Sequence, residues 1–134
     1  MHLDPFEPEN TLVMVGMLND QGVERIVTFD HSQVQADDYG HVLVQEFLDA
    51  ATVLICHNAA HDLLWLWESG FKYDGPVFDT MLAEYVLQRG QKEPLEVEAG
   101  GERYELDTKK QDKLKEYVAK GYSTRDIPYD ELVE

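Results

Sequence analysis

Apolar segments along the chain are short and are separated by polar turns, a pattern that predicts strands alternating with helices. Thr11 to Leu18 (TLVMVGML) and Val23 to Phe29 (VERIVTF) are rich in β-branched and other apolar residues, as expected for strands. Asn19 to Gly22, between them, has the composition of a hairpin turn. We therefore expect an antiparallel pair of strands near the start of the chain.

The next segments predict the alternation of helix and strand that is typical of α/β folds. His41 to Ala51 carries apolar residues at helical spacing and should form an amphipathic helix. Val53 to Cys56 is a short apolar run bounded by polar residues, which indicates a buried strand. Asn58 is a favourable helix N-cap, and a stripe of apolar helix formers continues from there towards Gly70. A strand, a turn and a helix thus follow one another directly.

The same order of elements is repeated immediately afterwards. Gly75 to Pro76 predicts a turn, Val77 to Phe78 a short strand, and Asp79 with Thr80 a cap before the helix MLAEYVLQ. Ligands of open α/β sheets gather beyond the carboxyl ends of the strands. The polar residues that follow these two strands are therefore the first candidates for a functional site.

The pattern is weaker after Gly90. Leu95 to Tyr104 has helical character but contains two adjacent glycines, each of which costs about 1 kcal/mol in a helix. Thr108 to Lys120 (TKKQDKLKEYVAK) predicts a helix that ends at Gly121, and a last helix is expected to begin at Asp130.

Composition bounds the class of protein. A chain of 134 residues with 43% hydrophobic content suits one domain with its own core. Cys56 is the single cysteine, so no disulfide can form within the chain, which fits a reducing compartment. No apolar run reaches the length of a membrane span, and we expect a cytoplasmic protein without a signal peptide.

The net charge of −16 argues against a general nucleic-acid-binding surface, because phosphate contacts require Lys and Arg side chains. A metal-dependent nuclease is the exception. Its bound cations reverse the local field that a phosphate group experiences, so an acidic site can still accept nucleic acid.

A spaced motif follows the Val53 strand. Its members, in chain order, are His57, Asn58, two small residues, the ring-bearing His61, Asp62, and then Asp79 and Thr80 before a helix with Glu84 and Tyr85. This motif resembles the second sequence motif of the DEDD (DnaQ-like) 3′–5′ exonucleases, most closely that of the proofreading domain of phage and bacterial family A DNA polymerases. The resemblance implies a ribonuclease H-like α/β fold, a mixed sheet with flanking helices.

The resemblance also implies an activity and the residues that carry it. Such domains remove nucleotides from the 3′ end of single-stranded DNA during DNA replication, with two Mg²⁺ or Mn²⁺ ions held by four carboxylates. Asp62 would be the catalytic, metal-binding carboxylate. Asn58 would orient the turn or touch the substrate strand, and His61 is a further candidate for contact with that strand. The family usually has Phe or Tyr at the position of His61. Asp79 is a secondary candidate, for which the role of helix cap is favoured.

Two further motifs of the family lie outside this sequence. The first is a buried strand ending in Asp-x-Glu, which would precede Met1, and the third supplies a late Asp, which would follow Glu134. We therefore expect residues 1–134 to be a single truncated domain that lacks the first, central strand and the last helix and is inactive alone. The polymerase domain of the same parent chain would be its natural partner.

The missing strand would lie between the strands that begin at Thr11 and Val53. Its absence would leave two unpaired strand edges, and unpaired buried backbone groups are costly. The chain is thus expected to be marginally stable or to self-associate.

Two other functions stay open at this point. One is a degenerate ribonuclease H-like module that serves as a binding or scaffold domain, which is favoured if the missing motifs are absent from the natural protein. The other is an acidic mimic of DNA, suggested by the charge and ranked last, because a mimic needs neither apolar strands nor the motif.

Overall fold

The computed structural model describes residues 4–106 and 112–133. Its described elements, in chain order, are β1 (Met14–Leu18), β2 (Glu24–Thr28), α1 (Gly40–Ala50), β3 (Leu54–Cys56), α2 (Ala59–Glu68), β4 (Val77–Asp79), α3 (Thr80–Leu87), α4 (Val97–Arg103), α5 (Asp112–Ala119), a 3₁₀ turn (Thr124–Asp126) and α6 (Tyr129–Val133). The predicted order of strands and helices is confirmed. The start predicted for the fifth helix, at Thr108, lies outside the described residues.

The predicted hairpin is present. β1 and β2 are antiparallel, with Val15 opposite Val27. Asn19 closes the turn, because its side-chain oxygen accepts hydrogen bonds from the backbone N–H groups of Gln21 (3.0 Å) and Val23 (2.9 Å). An asparagine that hydrogen-bonds its own turn is the local signal that fixes a connection of this kind.

The two β–α units in tandem are also present. β3 and β4 pair in parallel, with Leu54 opposite Val77 and Cys56 opposite Asp79, and α2 is the crossover between them. The residues that follow the two strands, Asn58 and Thr80, therefore lie at the same edge of this sheet.

The predicted mixed sheet is not formed as one sheet by the described strands. β1 and β2 form one two-stranded sheet, and β3 and β4 form another. None of the described strands lies between β1 and β3. The facing edges of these two strands border a groove. The α/β class is supported, and the ribonuclease H-like topology stays a prediction.

The core lies where α1 covers the strands. α1 is amphipathic, as predicted. The buried cluster joins the first sheet, α1, β3 and the segment that follows α2. Its members are Val27, Val44, Leu48, Leu54 and Phe71. The tightness of this packing is visible at Gly40, where an added Cβ would lie 2.9 Å from Cγ1 of Val27. Glycine is therefore required at the start of α1 for its close approach to the strand.

The segment before α6 is attached to the loop that follows β2. Ile127 is 2% exposed, and its carbonyl oxygen accepts a hydrogen bond from Nε2 of the buried His31 (2.7 Å). Arg125 pairs with Asp30 (2.9 Å), and its carbonyl oxygen accepts from the backbone N–H of Ser32 (3.1 Å). A residue late in the chain is thus buried and hydrogen-bonded to the loop that follows β2.

None of the helices in the described part of the chain is long and apolar enough to cross a membrane.

Candidate functional site

The turn between β3 and α2 differs from the expectation in one chemical detail. Asn58 has φ 68° and ψ 59°, the left-handed conformation that asparagine tolerates better than most residues. Its side chain makes no cap hydrogen bond to α2, so the predicted N-cap role of Asn58 is wrong. The left-handed turn instead leaves the first N–H groups of α2 open to another acceptor.

That acceptor is the carboxylate of Asp79. Its oxygens accept hydrogen bonds from the backbone N–H groups of Asn58 (3.0 Å) and Ala59 (2.9 Å) at the start of α2. They also accept from the N–H groups of Met81 (2.9 Å) and Leu82 (3.4 Å) at the start of α3. One side chain therefore caps two helices, whose N-termini favour a negative charge.

These contacts bear on the charge and the role of Asp79. Partial desolvation acts to raise the pKa of its carboxyl, but the four backbone N–H groups outweigh that effect, and the pKa is lowered. The carboxylate is therefore ionised at neutral pH and is occupied by backbone donors. The role of helix cap, favoured from the sequence, is confirmed by these contacts, whereas a direct catalytic role for Asp79 stays a prediction.

Asp62 lies in the first turn of α2, as predicted. Its side chain reaches solvent, yet the neighbouring protein removes part of its hydration and so raises the pKa of the carboxyl. His61 lowers this pKa and Asp79 raises it, with His57 adding a further lowering effect. The net pKa is raised, chiefly because of the partial loss of hydration.

Asp62 borders a groove of about 1380 Å³. One wall is the segment Thr11–Gln21, which contains β1, and the other is Thr52–His57, which contains β3. His61 and Asp62 line the groove from α2, and both side chains are exposed. The structure thus brings these two candidates together. Asn58 lies in the turn before α2, and Asp79, at the end of β4, holds that turn by hydrogen bonds.

His57 joins three segments behind this turn. Its Nε2 donates a hydrogen bond to the carbonyl oxygen of Leu95 (2.7 Å), and its Nδ1 lies 2.9 Å from the hydroxyl of Thr80. That hydroxyl is also 3.2 Å from the carbonyl oxygen of Cys56. These contacts are those of a structural residue, and they link the loop before α4 to the ends of both parallel strands.

A metal site is incomplete within residues 4–106 and 112–133. No group of three or more His, Cys, Asp or Glu side chains in these ranges could hold a metal ion. Of the carboxylates that the motif assigns to metal binding, Asp62 is the one supplied here. The described residues therefore do not supply enough ligands to hold two divalent cations.

Replacing Asp79 by alanine should lower the melting temperature, because two helix N-termini lose their cap. The lowered pKa means that the ionised carboxylate stabilises the fold above the ordinary Asp value of about 3.9, and that this stabilisation is lost as pH falls through the folded-state pKa. The difference between wild type and Asp79→Ala should thus be full at pH 7 and should shrink in acid. Circular dichroism melts across this pH range measure it.

Asp74→Ala is the matched control, because Asp74 is an exposed aspartate in the loop before β4. Equal melting temperatures for Asp79→Ala and Asp74→Ala would show that the double cap contributes nothing to stability.

Comparison with known protein families matches the chain to a family described as 3′-5′ exonuclease, over residues 3–127. The match includes the turn between β3 and α2, both parallel strands and Ile127. Comparisons with curated proteins and with solved structures found no match.

Proposed function

Because the chain belongs to the 3′-5′ exonuclease family, the DnaQ-like exonuclease domains of family A DNA polymerases, we propose that it is part of a proofreading domain. The proposed reaction is two-metal-dependent removal of nucleotides from the 3′ end of single-stranded DNA. The proposed partner is the polymerase domain of the same parent chain, in a bacterium or a phage-infected host. The cytoplasmic location expected from the sequence stays a prediction.

The placement of Asp62 carries the proposal. Its carboxylate stands in the first turn of a helix that follows a parallel strand, and the start of that helix is fixed by hydrogen bonds to Asp79. A ligand or catalytic group needs a backbone that holds its position to within a fraction of an ångström. The double cap supplies such a support, and the groove beside Asp62 leaves the carboxylate open to a substrate.

Exonucleases of this family generally use divalent metal ions, and Mg²⁺ and Mn²⁺ prefer the oxygen ligands that carboxylates offer. Such ions, when bound, activate a water and stabilise the leaving oxygen. The described residues supply Asp62 and lack a three-ligand cluster. We therefore propose that the remaining ligands come from outside the described residues, and that the 134-residue chain alone does not cleave DNA.

The other site residues have proposed roles in binding. His61 is exposed in the groove next to Asp62, where its imidazole could stack on a base or donate a hydrogen bond to a phosphate oxygen. Asn58 holds the left-handed turn, and its side chain makes no bond to α2, which leaves its amide free to contact the substrate strand. Asp79 holds the turn and the start of α2, where these two residues lie.

The test uses the natural polypeptide that contains these residues, beside the 134-residue chain. Each is incubated with labelled single-stranded DNA in Mg²⁺, in Mn²⁺, or in excess EDTA. The expected result is nucleotide release by the natural polypeptide in either metal, none in EDTA, and none by the chain alone. Cleavage that survives EDTA would contradict the metal-dependent mechanism, and full activity of the chain alone would contradict the proposed source of the missing ligands.

The second candidate function is a degenerate ribonuclease H-like module that acts as a binding or scaffold domain. The incomplete ligand set among the described residues favours it. The reading frame in the source DNA distinguishes the two candidates. An upstream strand ending in Asp-x-Glu and a late downstream Asp would support the exonuclease, whereas stop codons on both sides would support the binding module.

A further inference from the structure

His57 is held on both sides of its ring. It follows β3 directly and precedes the left-handed turn at Asn58. Its Nε2 lies 2.7 Å from the carbonyl oxygen of Leu95. Because a carbonyl oxygen can only accept a hydrogen bond, Nε2 carries the proton, and in the neutral imidazole Nδ1 is then an acceptor. The hydroxyl of Thr80, 2.9 Å away, therefore donates to Nδ1.

The neighbours of these two residues clamp the same junction a second time. Asp79, which precedes Thr80, accepts hydrogen bonds from the two backbone N–H groups that follow His57 along the chain. Two adjacent residues at the start of α3 therefore hold consecutive residues at the start of α2. Asp62 lies in the first turn of α2, so the position of its carboxylate depends on this junction.

The loop that His57 contacts has its own support. Arg103 of α4 donates from Nη2 to the carbonyl oxygen of Pro94 (3.0 Å) and pairs with Glu84 of α3. Tyr104 donates its hydroxyl proton to the same carboxylate (2.9 Å). The loop before α4 is thus anchored to α3, and His57 bonds to the residue that follows Pro94. His57 therefore ties the turn before α2 to a segment that is itself fixed.

The ring nitrogens of His57 are not available to a substrate. His57 borders the groove beside Asp62, but Thr80 and Leu95 engage both nitrogens, so neither can exchange a proton with a reacting group. A catalytic carboxylate must be held to within a fraction of an ångström, and a shift of about 1 Å can reduce the rate roughly 100-fold. A side chain that fixes the turn before α2 therefore acts on the rate through Asp62.

We propose that His57 is a positioning residue for the nuclease reaction. It holds the turn before α2 through Thr80 and Leu95 and so places the carboxylate of Asp62. The inference rests on the proposed exonuclease function. It also gives a role to Thr80, which is part of the sequence motif and which the proposed reaction does not use directly.

The test compares two replacements of His57 in the natural polypeptide. His57→Phe keeps a planar ring and removes both hydrogen bonds, whereas the amide of His57→Gln can donate to the carbonyl of Leu95 and accept from Thr80. On single-stranded DNA in Mg²⁺, kcat should fall about tenfold in His57→Phe and return to within about threefold of wild type in His57→Gln. KM should change less than kcat, because a displaced carboxylate mainly affects the transition state.

A second set of variants tests the hydroxyl and the specificity of the effect. Thr80→Val removes the hydroxyl and keeps the branched shape, and its kcat should fall to a similar extent. The double variant with His57→Phe should lose little more than either single variant, because both remove the same bond. His41→Phe is the control, since His41 also bonds to a backbone carbonyl, that of Ser69 at the other end of α2 (3.0 Å). Its kcat should equal that of wild type.

Amide hydrogen exchange measures the positioning without catalysis. The backbone N–H of His61 donates to the carbonyl oxygen of Asn58 (3.0 Å) at the start of α2, and that of Ser69 donates to Trp65 (3.1 Å) at its end. In EDTA and without DNA, the amide of His61 should exchange faster in His57→Phe than in wild type. The amide of Ser69 should be unchanged.

The outcomes separate this proposal from the exonuclease function. Equal kcat in wild type and His57→Phe, or an equal loss in His57→Phe, His57→Gln and His41→Phe, would overturn the positioning role. Unchanged exchange at His61 would show that the turn does not depend on His57. If the wild-type polypeptide releases no nucleotides, the exonuclease function fails, while the exchange at His61 still reports whether His57 holds the turn. Circular dichroism melts check folding, and Thr80→Val carries the test if His57→Phe does not fold.

Discussion

Replacing Asp62 by asparagine in the natural polypeptide is expected to reduce metal-dependent cleavage of single-stranded DNA by roughly 100-fold or more. A metal ion in such a site contributes several kcal/mol to transition-state stabilisation, and each 1.36 kcal/mol is about a factor of ten in rate. Asparagine keeps the shape of the side chain and removes the charge that holds the ion. A time course of nucleotide release at saturating Mg²⁺ measures the effect.

The same substitution should leave the fold intact. The pKa of Asp62 is raised in the folded protein, which means that folding disfavours the ionised carboxylate at neutral pH. A neutral residue removes that unfavourable contribution, so Asp62→Asn should melt at the wild-type temperature or slightly above it. Loss of activity would then come from lost chemistry and not from unfolding.

Glu68→Gln is the matched control, since it removes one carboxylate at the opposite end of α2, where the side chain is exposed. Wild-type activity in Glu68→Gln together with wild-type activity in Asp62→Asn would remove Asp62 from the site.

The second large effect is expected at Ile127. Ile127→Ala should lower the free energy of unfolding by about 3 kcal/mol, within the usual range for removing a buried aliphatic side chain. The side chain is 2% exposed, and the same residue accepts the hydrogen bond from His31. Urea denaturation followed by circular dichroism measures the change in midpoint.

Ile55→Ala provides the comparison, because the same atoms are removed from a side chain that is 68% exposed. That variant should lose less than about 1 kcal/mol, since surface substitutions have small effects. Equal losses at the two positions would mean that Ile127 does not anchor the segment before α6 to the loop after β2.

The hairpin and the tandem β–α units could be predicted because their signals are local. Asn19 and Gly22 mark the turn, helical spacing marks α1, and Asp79 precedes the helix that it caps. Each of these features depends on residues within a few positions of one another. Short-range chemistry of this kind is visible in a sequence without knowledge of the tertiary structure.

The cap of α2 could not be found in the same way. The predicted cap was Asn58, the nearest polar side chain, whereas the acceptor is Asp79, which lies far along the chain and comes close through the parallel pairing of Cys56 with Asp79. The burial of Ile127 has the same origin. It is a single apolar residue in a polar segment, and its partner His31 is distant in sequence.

The separation of the four described strands into two sheets could not be predicted from local sequence signals either. Sheet order depends on which strand edges meet, and the strand patterns of β1 and β3 are the same whether or not another strand lies between them. The resemblance to the exonuclease family predicted a gap at this place, and the groove lies between these two strands.

The direction of digestion tests the central claim, that this chain belongs to the active part of a 3′-5′ exonuclease. The measurement is a time course with the natural polypeptide on one single-stranded DNA labelled at its 5′ end. A ladder of progressively shorter labelled products is expected, because nucleotides leave from the unlabelled 3′ end. Immediate release of the labelled nucleotide, or a few discrete internal cuts, would contradict it.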